Sequence, residues 1–197
     1  MSRTTLTLKE LGQITSGISI NRYQDDKGSS KLIVNIGNLE KLYVGGNLSE
    51  TKLSTSNIER YQLHEGDVVI AVRGAQFKAS VVTNETQGSI AGQNVAFFRP
   101  EPKAEIDSAY LAVLMRSPQW LEKSLNINIL NRQSSTSLQS IKVSELRELK
   151  IPLPDLSTQK QIAKLFLSTE SFVKTTEDLI NSKKRLTELT ILQIVEG

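Results

Sequence analysis

The chain has no cysteine, which excludes a disulfide scaffold, thiolate metal sites and cysteine nucleophiles. It has one histidine, His64, in the polar turn Tyr61–Gln62–Leu63–His64–Glu65–Gly66–Asp67. A histidine in such a turn is an ordinary surface residue, and no sequence partner marks it as a general base. No apolar run approaches the ~20 residues that span a bilayer. The opening residues Met1–Thr5 lack the apolar core of a signal peptide, so a cytoplasmic location is expected.

The motifs of several chemistries are also missing. There is no Gly-x-x-x-x-Gly-Lys-Ser/Thr phosphate loop, and no Gly-x-Gly-x-x-Gly follows a strand, so neither an ATP motor nor a dinucleotide site is expected. The Asn/Asp-Pro-Pro-Tyr/Phe tetrapeptide of amino-methyltransferases is absent too. Glu148–Leu149–Lys150 fits the tail of a metal-dependent nuclease site, but no Asp on a strand precedes it. The chain is read as binding rather than reacting, with no cofactor and no metal. Net charge is +3, and it is unevenly placed. From Asp155 onward six Lys/Arg face six Asp/Glu, which leaves 18 basic against 15 acidic residues before it. That excess is compatible with a polyanion partner.

What is present divides at Ile151–Pro152–Leu153–Pro154–Asp155. Two prolines one residue apart hold this strap extended, since each fixes its own φ and moves its predecessor out of the α region. Asp155 or Ser157 can then cap a helix, with Gln161 as a reciprocal partner for a cap at Ser157 or Thr158. Before the strap, short apolar runs are broken by Gly, Asn and Ser. Lys31–Ile36, Leu42–Val44, Asp67–Val72, Ala79–Thr83 and Ser89–Arg99 read as strands, with Ala79–Thr83 the hairpin partner of Asp67–Val72. Asn21–Ser30 reads as flexible. Asp107–Ser108 caps a helix to about Arg116, Ser117–Pro118 interrupts it, and a second piece carries Trp120, a core residue. Leu130–Gln139 is a polar loop, and Val143–Leu149 a short helix. The expected fold class is α+β: a mixed domain over 1–154, then one long coiled-coil-type helix over 155–197.

After Pro154 neither Gly nor Pro occurs until Gly197. Leu165, Phe172, Leu179 and Leu186 recur at seven, and Phe166, Val173, Ile180 and Ile194 form a second row in which Thr187 is polar. Two adjacent rows make a face too wide to leave in water on a lone helix. About 38 residues give a rod of roughly 57 Å, too long to pack wholly on one small domain. Helix-to-helix association is expected, imperfect because Thr169, Thr176 and Lys183 edge the seam.

The junction Ile151–Pro152–Leu153–Pro154–x–Leu156–x–x–Gln159–x–x–Ile162–Ala163 resembles one in the specificity (S) subunits of Type I restriction-modification systems. Members commonly read Pro-Leu-Pro-Pro-Leu-x-Glu-Gln-x-x-Ile-Ala; here Asp155 replaces the third proline and Thr158 the glutamate. Leu8–Gly17, Leu63–Val72, and Ser135–Ile141 with Leu146–Pro154 resemble further stretches of that family, in the same order. Ser135 stands where the family usually has glycine.

The resemblance implies a target recognition domain that reads one half of a bipartite site in double-stranded DNA. It also implies a long helix that spaces two such domains and docks a methyltransferase (M) subunit. With one domain and one helix, the chain looks like a half subunit. Two copies pairing their helices antiparallel would form a homodimer on a symmetric target. Catalysis would then lie in the M subunit and in a restriction (R) subunit, not here. The alternative is an assembly or regulatory protein that docks the M subunit without touching DNA; a stand-alone nuclease is rejected on the missing motifs.

Phosphate contacts fix register and base-edge contacts fix sequence, so exposed loops that mix Arg/Lys with amides are the DNA candidates. The first is the hairpin loop with Arg73, Gln76 and Lys78, which also holds Phe77. The second is Arg132, Gln133 and Ser134, the third Arg22 with Lys27, and the last Asn94, inside the Ser89–Arg99 strand. For the partner helix the candidates are Leu165, Phe172, Leu179, Leu186, Val173 and Ile180. Lys183–Lys184–Arg185 reads as a solvated face.

Overall fold

A computed structural model describes residues 4–54, 58–74, 77–125 and 139–196. The chain begins with β1 (Thr4–Thr7), α1 (Leu8–Leu11), β2 (Gly12–Ser16), β3 (Gln24–Val34) and β4 (Ser49–Leu53). Next come β5 (Val68–Ala71), β6 (Arg73–Gly74), β7 (Ala79–Val81), β8 (Ile90–Ala91) and β9 (Val95–Pro100). Two helices follow, α2 (Ser108–Met115) and α3 (Pro118–Leu125), then β10 (Gln139–Ser140), α4 (Val143–Arg147) and β11 (Lys150–Leu153). The last element is α5 (Leu156–Glu196), 41 residues long. The class is α+β with a long C-terminal helix, as expected.

The centre is an antiparallel sheet of order β2-β9-β5-β7. Its inner strands read as continuous apolar runs because both of their faces are covered. Val68, Ile70, Ala96 and Phe98 point into one core, shared with Leu11, Leu111, Met115, Leu146 and Ile151. Val69, Ala71, Val95 and Phe97 point into the other, with Val34, Leu39, Leu63 and Val82. A second sheet of order β4-β3-β8 covers a third cluster that includes Ile18, Ile33, Leu53, Ile58 and Ile90. The two sheets come close where Gly17 passes Gly92; a Cβ on Gly17 would lie 2.0 Å from the Gly92 carbonyl oxygen. Only glycine fits there.

Three expectations need correction. The polar stretch Asn21–Ser30 is not a loop: from Gln24 it belongs to β3 and pairs with β4, with a register shift between Gln24 and Ser29. Its neighbour's backbone, not its composition, supplies the order. Leu42–Val44 makes only a bridge, Tyr43 to Val81, because Asn38 draws the chain back by donating to the carbonyls of Gly45 (3.1 Å) and Asn47 (3.2 Å). Ser89–Arg99 is two strands in different sheets, β8 and β9, parted at Gly92, where an added Cβ would lie 2.3 Å from Asn35 Oδ1.

The strap folds as expected into extended β11, paired antiparallel with β1 so that Pro152 lies opposite Thr5 and Ile151 opposite Leu6. Asp155 is the helix cap: its Oδ1 accepts from the Thr158 N–H at 2.9 Å and its Oδ2 from the Thr158 hydroxyl at 2.7 Å. These donors hold its carboxyl below the usual carboxylate range. Gln161 is exposed, and the neighbouring Gln159 is the buried amide. Ala163 is also buried, and Ile162, Phe166 and Leu167 pack on the first core. The domain's packing therefore runs past Pro154 into the first three turns of α5, and every residue from Glu177 to Glu196 is exposed.

Candidate nucleic-acid interface and partner helix

One end of the central sheet gathers three of the described DNA candidates, Arg73, Lys78 and Asn94. The chain leaves β5 through Val72, whose N–H donates to the Asn94 carbonyl (3.0 Å) and whose own carbonyl accepts from the Ile141 N–H (3.0 Å). β6 then pairs with β10, which sets Arg73 opposite Ser140 and Gly74 opposite Gln139. The first candidate loop is thus joined to the end of the segment that carries the second. Arg73 is exposed. Gln76, Arg132, Gln133 and Ser134 lie outside the described residues. Asn94 is not within a strand: at φ 68° it takes the left-handed turn between β8 and β9, which asparagine tolerates better than most residues. Lys78 is not a free cation, since its Nζ lies 2.6 Å from Glu40 Oε1 and its side chain is only 19% exposed. Phe77 packs on the first core.

Arg22 and Lys27 are exposed too, on a 3-10 turn and on β3 of the second sheet, and the structure does not bring them together with Arg73 and Asn94. Tyr23 meets Tyr61 edge to face at 6.0 Å between ring centres, and the Arg60 guanidinium lies 4.7 Å from the centre of the Tyr61 ring. Hydrogen bonding from Tyr61, then from Arg60, holds the Tyr23 hydroxyl below the usual phenol range, while the bond to Tyr23 and burial raise that of Tyr61. Beside them a cleft of about 300 Å³ runs along the outer edge of β2, lined by Thr15, Ser16, Gly17, Arg60, Tyr61 and Arg147. Arg147 reaches over it from α4 and donates to the Ile14 carbonyl at 3.4 Å. Sequence reasoning does not single out Arg60 or Arg147. Each is a lone cation in an ordinary local context, and only the fold brings residues 87 positions apart together.

Other polar side chains hold the scaffold. Asp67, 1% exposed, is gripped by Arg99 through Nε to Oδ1 (2.9 Å) and Nη2 to Oδ2 (2.6 Å), and also accepts from the His64 N–H (2.8 Å). His64 itself is exposed in its turn, as expected. Arg116 donates to the carbonyls of Leu39 (3.0 Å), Glu40 (2.7 Å) and Ala79 (3.0 Å), and reaches Glu170 on α5 at 3.4 Å. Gln159 is fully buried, donating to the carbonyls of Glu105 (3.0 Å) and Pro154 (2.8 Å) and accepting from the Asp107 N–H (2.8 Å). These contacts set the direction in which α5 leaves the domain.

Along α5 the first apolar row is bare: Leu165, Phe172 (72% exposed), Leu179 and Leu186 (65% exposed). Val173 and Ile180 are also exposed, whereas Phe166 turns back onto the domain. Thr169, Thr176, Thr187 and Thr190 each donate to the carbonyl four residues back, at 2.9–3.0 Å. Their hydroxyls need no partner across a seam, so the polar positions obstruct helix pairing less than the sequence suggests. Among the described residues no group of acidic or histidine side chains could hold a metal ion, and no helix is long and apolar enough to cross a membrane.

The sequence model of one family, described as the Type I restriction modification DNA specificity domain, matches residues 4–187. The chain belongs to this family. A specificity-domain relative, the putative type I restriction enzyme MjaX specificity subunit of Methanocaldococcus jannaschii, is 28% identical over 139 residues, covering 68% of this chain and 32% of that protein. The HsdS subunit of Thermoanaerobacter tengcongensis superposes with a TM-score of 0.68 at 18% identity, over 95% of this chain and 47% of that one. A chain solved in work on complex assembly and conformational transition of the type I R-M system gives 0.60 at 18%, over 88% and 39%. At that identity the solved chains share the specificity-domain fold alone. The chain spans about a third of the archaeal protein and less than half of either solved chain.

Proposed function

We propose that this chain is the sequence-reading component of a type I restriction-modification assembly. Its domain binds one half of a bipartite site in double-stranded DNA in the cytoplasm. α5 pairs antiparallel with the same helix of a second copy, so that two domains meet the two halves of a symmetric target. The paired helices also dock the M subunit, and with it the R subunit of a restriction complex; methylation and cleavage are theirs. One observation carries the reading: the family match runs without a break through both the domain and the projecting helix. Arg73 and Asn94 read base edges, a reading supported by their position together at one end of the central sheet. Arg22 and Lys27 serve as phosphate contacts. Gln76, Arg132, Gln133 and Ser134 remain part of the proposal on their composition. Lys78 does so only if DNA displaces Glu40.

The test is base-modification sequencing of host DNA after co-expression with the cognate M subunit. The expected result is a methylated, palindromic, bipartite motif that is lost or degraded by Arg73→Ala. An asymmetric motif would mean that a different recognition domain pairs with this one. A stable complex with the M subunit and no motif would overturn the DNA reading in favour of an assembly role.

A further inference from the structure

The cleft over β2 has a chemistry of its own. β2 is an edge strand, so its outer backbone groups meet solvent rather than another strand. Two guanidiniums flank that edge, Arg60 from a 3-10 turn and Arg147 from α4. Neither forms an ion pair among the described residues, and none of the cleft's lining residues is acidic. The nearby Glu148 is already engaged by Lys9, at 2.7 and 2.8 Å. Arg147 spends one donor on a 3.4 Å contact to Ile14, and a guanidinium has five. Two forked cations over a small polar hollow suit a tetrahedral oxyanion. The position suits a particular one. β2 lies two strands from β5, so the cleft is about 10 Å across the sheet from the point where Arg73 emerges.

We propose that this cleft holds a phosphate of the DNA backbone, clamped between Arg60 and Arg147. It anchors the duplex while the Arg73 end of the sheet meets the bases. The inference rests on the DNA-reading proposal above, and its test separates the two. Binding of the full chain to a short mixed-sequence duplex is followed by fluorescence anisotropy as salt is raised. Removing one phosphate contact makes the slope of log K against log salt shallower by about 0.9. Arg60→Ala and Arg147→Ala are each expected to reduce it by about that amount and to weaken binding several-fold, equally for any sequence. Arg60→Lys and Arg147→Lys, which keep the charge, retain most of the slope. Lys103→Ala, an exposed cation at the opposite end of the sheet, leaves it unchanged. Unchanged melting midpoints confirm that the variants fold.

A wild-type slope in both alanine variants would overturn the cleft assignment while leaving DNA binding intact. An equal drop in Lys103→Ala would do the same, by reducing the effect to overall charge. If the wild-type chain shows no salt-dependent binding at all, the DNA reading fails and the cleft assignment with it.

Discussion

Asp67 shows how single residues hold this domain together. Its carboxylate is out of water, and both oxygens are met by Arg99. The same contact raises the arginine's pKa above its ordinary value. A buried carboxylate that loses its partner keeps the cost of desolvation without the compensating attraction. Arg99→Leu should therefore destabilise the chain by about 3–5 kcal/mol, seen as a lower urea midpoint, and adding Asp67→Asn should recover part of the loss. A double variant no better than Arg99→Leu alone would sink the account. Gln159 makes a second case. Its amide satisfies two carbonyls and an N–H where the strap turns into α5, so Gln159→Ala should cost about 2–4 kcal/mol and blur the junction. At this scale the candidate site was only partly legible in the sequence. Arg73 stands out as an exposed loop cation. Nothing local tells that Glu40 takes up Lys78, or that Arg60 and Arg147 converge, because those facts belong to contacts between distant segments.

Elements were more legible wherever the local chemistry is self-sufficient. The Asp107 cap, the break at Ser117–Pro118 and the apolar run of β5 each carry their own signal, and each forms where the sequence places it. β4 and the first half of β3 do not. They are polar, and their order comes from pairing with each other across about twenty intervening residues. The start of α5 is self-sufficient as well, and its titration provides a check. The Thr158 N–H and hydroxyl depress the Asp155 pKa in the folded chain. A depressed carboxylate contributes stability above its unfolded value, near pH 4, and loses it as pH falls through the folded value. Asp155→Ala should thus be less stable than wild type near neutral pH, and the gap between their urea midpoints should close as pH drops below the carboxylate range. A gap that stayed constant down to pH 3 would mean that the carboxylate's charge plays no part in the cap.

At the scale of the whole molecule, the chain ends in twenty exposed helical residues, Glu177 to Glu196, or about 30 Å of rod with apolar side chains in water. An amphipathic helix with no core to face is unfavourable unless another surface covers it. The bare row runs through Phe172, Leu179 and Leu186, and Val173 and Ile180 widen it. The intervening threonines, satisfied within their own helix, cost a pairing partner little. A second copy can offer the same face in reverse, so that each seam residue serves twice, as in any two-fold interface. Leu179 lies near the middle of the apolar rows that run from Leu165 to Ile194, where one charge would meet its counterpart from the other copy. Leu179→Asp should then convert a dimer into a monomer by sedimentation equilibrium and leave the domain's melting transition intact, since this residue touches no core. The monomer should lose binding to a two-half-site duplex far more than to a single half-site, because linking the domains makes the second contact effectively intramolecular. A variant that stayed dimeric would place the subunit contact elsewhere, and a monomeric wild type would leave the bare helix to the M subunit alone.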